Sequence, residues 1–188
     1  MKRKENIEVE LKFPIDNPKE IVKKLTGLAG SPKEEYQKDI YFNSTKNNFL
    51  EKKPIKEWLR IRESKENITL NHKRWHDNKE DKSVSCDEHE VKVSDAKVCN
   101  DILKGLGFKE LIIVEKKRKA WEYKGTKIAL DNVNNLGDFI EIESKDSKDI
   151  ETIKNHLYSL IDELSVSVGK QDFKGYPYRV LENKGLLR

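Results

Sequence analysis

Like charges two residues apart recur along this chain, as Glu8-x-Glu10, Arg60-x-Arg62, Glu88-x-Glu90, Lys116-x-Arg118 and Glu141-x-Glu143. In an extended strand that spacing sends both side chains to one face. The residues flanking these charges are mostly apolar, as in Ile7-Glu8-Val9-Glu10-Leu11-Lys12, so each strand has one core face and one charged face. A lone strand of this kind would turn its charges to water; five of them call for a common, enclosed space. Carried through by parity, that space receives Glu8, Glu10, Glu88, Glu90, Asp131, Glu141 and Glu143, together with Lys12, Arg60, Arg62, Lys73, Lys116 and Arg118. Carboxylates so confined repel unless cations stand between them, and hard Mg or Mn ions take carboxylate oxygens while keeping waters. Fixed cations beside them suit a polyanion such as a triphosphate, which would share the metal's coordination.

The elements between these strands follow from local signals. Asn17 before Pro18 predicts a helix start, with Ile21, Val22, Leu25 and Leu28 on its apolar stripe and Gly27 and Gly30 at its end. Gln37 to Phe42 predicts a strand with Ile40 and Phe42 on one face, followed by a long polar loop, Asn43 to Lys56. Trp58 to Glu63 and Asn67 to Trp75 predict a hairpin. The pattern then restarts: Glu88-x-Glu90-x-Lys92 repeats Glu8-x-Glu10-x-Lys12, and Ser94 is the expected cap of a second helix through Leu103 and Leu106. A hairpin about Lys124-Gly125, a turn over 132–137 and the strand Phe139 to Glu143 follow. The longest helix is expected over Ser147 to Leu164. The tail from Val166 to Arg188 is expected to hold a last strand and a turn at Tyr176-Pro177-Tyr178. These elements predict an α+β fold: a closed antiparallel eight-stranded β-tunnel, or barrel, with a charged interior and three helices packed outside.

Composition narrows the class. The 188 residues fit one domain, 1–188, without linker or low-complexity tract. Charged residues make up 38% and the hydrophobic set 35%, so the core must be economical. A net charge of +4 from 38 basic and 34 acidic residues is too balanced for a generic nucleic-acid stripe, which makes a small anionic ligand the expected partner. No apolar run approaches a signal or membrane segment, so no membrane partner and a cytoplasmic location are expected. Cys86 and Cys99 have neither zinc spacing nor a disulfide framework. His72 and His89 fall on the apolar parity, as packed histidines rather than general bases.

Glu8-x-Glu10-x-Lys12 resembles the ExExK motif of the CYTH superfamily, the triphosphate tunnel metalloenzymes. The blocks that follow resemble the family's in the same order over residues 7–143: Leu59-Arg60-Ile61-Arg62, Thr69-Leu70-Asn71-His72-Lys73, Glu88-x-Glu90, Lys116-x-Arg118, the segment 130–137 and Glu141-x-Glu143. The resemblance implies a divalent-metal enzyme, with Mg or Mn held by Glu8, Glu10, Asp131, Glu141 and Glu143. It implies phosphates on Lys12, Arg60, Arg62, Lys73, Lys116 and Arg118, with Glu8, Glu10 and Lys12 as the catalytic group. Glu88 and Glu90 match an acidic pair at the substrate, and Lys170 or Lys174 matches a C-terminal basic residue. Arg74-Trp75 departs from the family's small residues, leaving Trp75 available at a rim. The implied activities are hydrolysis of tripolyphosphate, a nucleoside triphosphate or thiamine triphosphate, and, as the alternative, the class IV adenylyl cyclase reaction. A non-catalytic module for polyphosphate or RNA ends is the reading from another class, and the chain is expected as a monomer or homodimer.

Overall fold

The computed structural model describes residues 7–76, 82–145 and 149–187. Eight strands close into one barrel: β1 (Ile7–Pro14), β2 (Lys33–Ser44), β3 (Glu57–Ser64), β4 (Ile68–Trp75), β5 (Ser85–Val93), β6 (Phe108–Tyr123), β7 (Thr126–Val133) and β8 (Gly137–Ser144). Their order around the barrel is β1-β5-β4-β3-β2-β6-β7-β8, every pair antiparallel. The two halves share one plan, since β1-α1-β2 is matched by β5-α2-β6 and each unit then continues into a hairpin. Closure gives every strand a neighbour on both sides, the β1–β5 seam being the shortest, with three register pairs.

Alternation decides what lies inside. On β1, Val9 and Leu11 are fully buried on the outer face beneath helices α1 (Pro18–Ala29) and α3 (Ile150–Leu164), with Ile21, Leu25, Leu157, Leu160 and Leu164. Glu8, Glu10 and Lys12, of opposite parity, are buried toward the interior. A second outer cluster joins Phe42, Leu59 and Ile61 to Cys99 and Leu103 of α2 (Ala96–Gly105). The loop after β2 is pinned there too, through Phe49 in a short 3-10 turn over Phe49–Glu51. The turns match their chemistry: Lys124 and Gly125 both take positive φ, as the two-residue hairpin requires.

Three local expectations are corrected. Asp95, not Ser94, caps α2, its carboxylate accepting from the Val98 N–H. The longest helix begins at Ile150 under an Asp149 cap, and Ser147 lies outside the described residues. The tail carries no strand among the described residues; it forms a fourth helix, α4 (Gly175–Asn183). Pro177 falls in its first turn, where a missing N–H costs nothing. Tyr176 and Leu181 of α4 are buried with Tyr41, Trp58, Ile112, Val114, Val133 and Phe139. Those barrel residues share the parity of the charged ones, so α4 plugs one end of the barrel with an apolar layer. No described helix is long and apolar enough to cross a membrane.

Leu181 is fully buried in that plug. Leu181→Ala should lower unfolding stability by roughly 2–5 kcal/mol, from lost transfer energy plus a residual cavity. Urea unfolding checks this; a loss below about 1 kcal/mol would mean that α4 is not docked.

Candidate triphosphate and metal site

The cavity inside the barrel has a volume of about 120 Å³ and is bounded mainly by charged side chains. One wall is acidic. Glu10 on β1 and Glu143 on β8 are register partners, and Glu8 lies one pleat away. One carboxylate oxygen from each of Glu8, Glu10 and Glu143 lies within 4.8 Å of the others. Burial, together with Glu143, Glu88 and Glu10, pushes the Glu8 carboxyl well above its usual range, with Lys73 opposing. Lys73 donates to Glu8, and its Nζ is 3.3 Å from Glu10 and 3.6 Å from Glu88. For Glu10, burial and Glu141 are outweighed by Lys12 and Lys73, which hold the carboxyl low. A cluster whose Glu8 resists ionisation beside three other carboxylates, built only of oxygen donors, fits a hard divalent cation.

The other wall is cationic. Arg60 and Arg62 project from β3 with Asp39 of β2 behind them. Lys116 and Arg118 project from β6 with Asp131 of β7 behind them. Lys12 links the two walls, its Nζ 2.5 Å from Glu10 and 3.3 Å from Glu141. The Tyr176 ring of α4 lies beneath both lysines, 4.4 Å from Lys12 Nζ and 5.0 Å from Lys116 Nζ.

The structure brings together along one cavity Glu8, Glu10, Lys12, Arg60, Arg62, Lys73, Glu88, Glu90, Lys116, Arg118, Glu141 and Glu143. Two expected residues fall elsewhere. Asp131 does not line the cavity; it is 1% exposed and its oxygens are taken by Lys116, Arg118 and Tyr176. Lys170 is exposed and away from the lining, whereas Lys174, at the start of α4, borders the cavity beside Tyr176 and Pro177. Glu141 bonds Arg118 at 2.8 Å and is held well below its usual range, burial being outweighed by Arg118 and Lys12. Glu88 is likewise held low by Lys73 and by Lys145, against burial.

The structure adds Asp39, Lys127, Lys145, Tyr41 and Tyr176. Asp39 and Tyr41 share the parity opposite Ile40 and Phe42, so an alternation count through β2 would have found them. Lys127 bonds Glu143 at 2.8 Å and Lys145 bonds Glu88 at 2.7 Å, so further cations border the acidic wall. The Tyr176 contact carries no local signal, because it depends on the fold of the tail. Outside the barrel, His72 and His89 stack across β4 and β5 at 6.3 Å, away from the cavity. Cys86 lies inside among the carboxylates, its thiol pushed up by burial. Both cysteines are free.

A family model described as the CYTH domain matches residues 6–176. A Methanocaldococcus jannaschii protein named as a proposed adenylate cyclase is 33% identical over 184 residues, 96% of this chain and 99% of that one. A solved structure from Pyrococcus horikoshii OT3 superposes with a TM-score of 0.77 at 31% identity, covering 94% of this chain and 99% of the other. A Hippeastrum protein, described as a proposed adenylyl cyclase that reveals a dominant triphosphatase activity, shares the fold at 17% identity and a TM-score of 0.62, covering 97% of each chain.

Lys116 tests the electrostatics of the cationic wall. Burial and then Arg118 drive its ammonium down to about 8, against Asp131 and Glu141. An unfolded lysine titrates near about 10.4, so between the two values the unfolded chain holds a proton that the fold gives up, and stability gains as pH rises. Lys116→Met removes this linkage. Urea unfolding at about pH 7.5 and about pH 9.5 should show the stability difference moving in the parent's favour at the higher pH. A difference independent of pH would contradict this placement of the lysine.

Proposed function

Because the chain belongs to the CYTH domain family, we propose that it is a metal-dependent enzyme acting on the triphosphate chain of a small molecule inside its barrel. The observation that carries the reading is the meeting of the Glu8, Glu10 and Glu143 carboxylates with the cationic wall in one cavity. Those three glutamates would hold Mg or Mn, which when bound would neutralise phosphate charge and polarise the phosphorus to be attacked. Arg60, Arg62, Lys116 and Arg118 bind and orient the phosphate oxygens through the N–H groups that their aspartate partners leave free. Lys12 and Lys73, between carboxylate and phosphate, place charge where the two meet and complete the catalytic group with Glu8 and Glu10. Glu88 and Glu90 border the substrate, Glu88 fixing Lys73 and Lys145. Lys174, in place of Lys170, is the C-terminal phosphate ligand. Walls fixed by ion pairs need little rearrangement as charge develops during phosphoryl transfer.

Hydrolysis of tripolyphosphate, a nucleoside triphosphate or thiamine triphosphate is the first reading. The second is the adenylyl cyclase reaction, in which the ribose 3'-hydroxyl attacks the α-phosphate and pyrophosphate leaves. It is supported by the name of the 33% identical Methanocaldococcus jannaschii relative. A non-catalytic polyphosphate or RNA-end module would bind without turnover.

Thin-layer separation of products from ATP, tripolyphosphate and thiamine triphosphate, each with Mg and with Mn, separates these readings. Orthophosphate without cyclic AMP is the expected outcome; cyclic AMP with pyrophosphate establishes the cyclase, and binding without turnover establishes the module. Glu143→Gln should reduce turnover by at least about 100-fold with the fold retained, since it keeps size but removes a metal-directed charge. Parent-like turnover at saturating Mg and Mn would remove Glu143 from the site.

A further inference from the structure

We propose that Asp39 and Asp131 are a matched pair of positioning residues, each setting one arginine fork of the phosphate wall from behind, and that Asp131 therefore works through Arg118 rather than on a metal. The inference rests on the proposed triphosphate function. Asp39 and Arg62 are register partners across the β2–β3 hairpin, and Asp131 and Arg118 are register partners across β6–β7. The same atoms meet in both. Arg62 Nε and Nη2 donate to Asp39 Oδ1 and Oδ2 at 2.6 and 2.7 Å, and Arg118 Nε and Nη2 donate to Asp131 Oδ1 and Oδ2 at 2.7 and 2.5 Å.

A second cation shares each Oδ2, Arg60 Nη1 at 3.2 Å and Lys116 Nζ at 2.9 Å. Each aspartate is 1% exposed and absent from the cavity lining, whereas all four cations line it. The two devices occupy equivalent hairpins of the internal repeat, with aspartate and cations exchanged between first and second strand. Gripping the Nε–Nη2 edge leaves Nη1 of both arginines without a protein hydrogen-bond partner among the described residues, so that side is free for a phosphate oxygen. A guanidinium held by two parallel hydrogen bonds cannot rotate, and a bound anion then meets donors already in place. The carboxylate also offsets the repulsion between cations two residues apart on one strand.

Positioning and mere charge balance make different predictions for Asp39→Glu and Asp131→Glu, which keep the charge but move the carboxylate by one methylene. Calorimetric titration with tripolyphosphate, in EDTA to exclude metal, should show each Glu variant binding about tenfold or more weakly than the parent. Asp39→Asn and Asp131→Asn, of parent size, guard against overpacking and should also weaken binding, because an amide cannot accept from both nitrogens of the fork. In turnover assays KM should rise by more than kcat falls, and the Mg concentration for half-maximal activity should stay as in the parent. Glu variants that bind like the parent, or Asn variants that bind more tightly, would reduce both aspartates to charge balance. A changed Mg requirement in Asp131→Asn would return that residue to the metal site. A parent that neither binds tripolyphosphate in EDTA nor turns over any triphosphate with Mg or Mn would overturn the proposed function and this inference together, whereas a parent that binds beside indifferent variants overturns the inference alone.

Discussion

The structure depends on charge held inside a closed barrel in paired form. An isolated buried carboxylate or ammonium costs several kcal/mol, and removing one partner of a buried pair costs about 3–5 kcal/mol. Here the ions compensate one another from strand to strand: Lys73 among Glu8, Glu10 and Glu88, Lys12 between Glu10 and Glu141, Asp39 with Arg60 and Arg62, and Asp131 with Lys116 and Arg118. Compensation falls short at Lys116, whose ammonium is driven down by burial and Arg118, and at the acidic wall, where Glu8 stays hard to ionise. In the proposed function, the acidic wall is where a divalent cation would bind.

The apolar matter is arranged to make this interior affordable. The outer faces of the strands bury their aliphatic residues under α1, α2 and α3, so most of the core lies between barrel and helices rather than within the barrel. Among the described residues only the plugged end has an apolar interior, and α4 seals it while presenting Tyr176 to Asp131, Lys12 and Lys116. Local structure, packing and electrostatics meet in that one tyrosine, whose hydroxyl closes the hydrogen bonding of Asp131.

The barrel and most of its lining were legible in the sequence, because period-two alternation assigns a face to each residue wherever a strand is correctly located. Glu8, Arg62 and Glu141 came inside by this rule. What alternation cannot supply is depth. It puts Asp131 on the inner face but cannot tell a carboxylate at the cavity surface from one behind two cations, which depends on register across the β6–β7 hairpin. Asp39 stood on the right parity, and its importance appears only when its partner across β2–β3 is known to be Arg62. The tail departs from its local signals for a different reason. Tyr176-Pro177-Tyr178 has turn chemistry locally, and its helix is selected by docking into the barrel end. That docking brings Lys174 to the cavity border and leaves Lys170 off it.

The most direct measurement is anomalous scattering from crystals soaked with Mn and a non-hydrolysable imido analogue of tripolyphosphate. The account predicts a manganese peak among the carboxylate oxygens of Glu8, Glu10 and Glu143, with phosphate density against Nη1 of Arg62 and Arg118 and no metal at Asp131. Manganese bound away from the three glutamates, or phosphates seated outside the barrel, would contradict it.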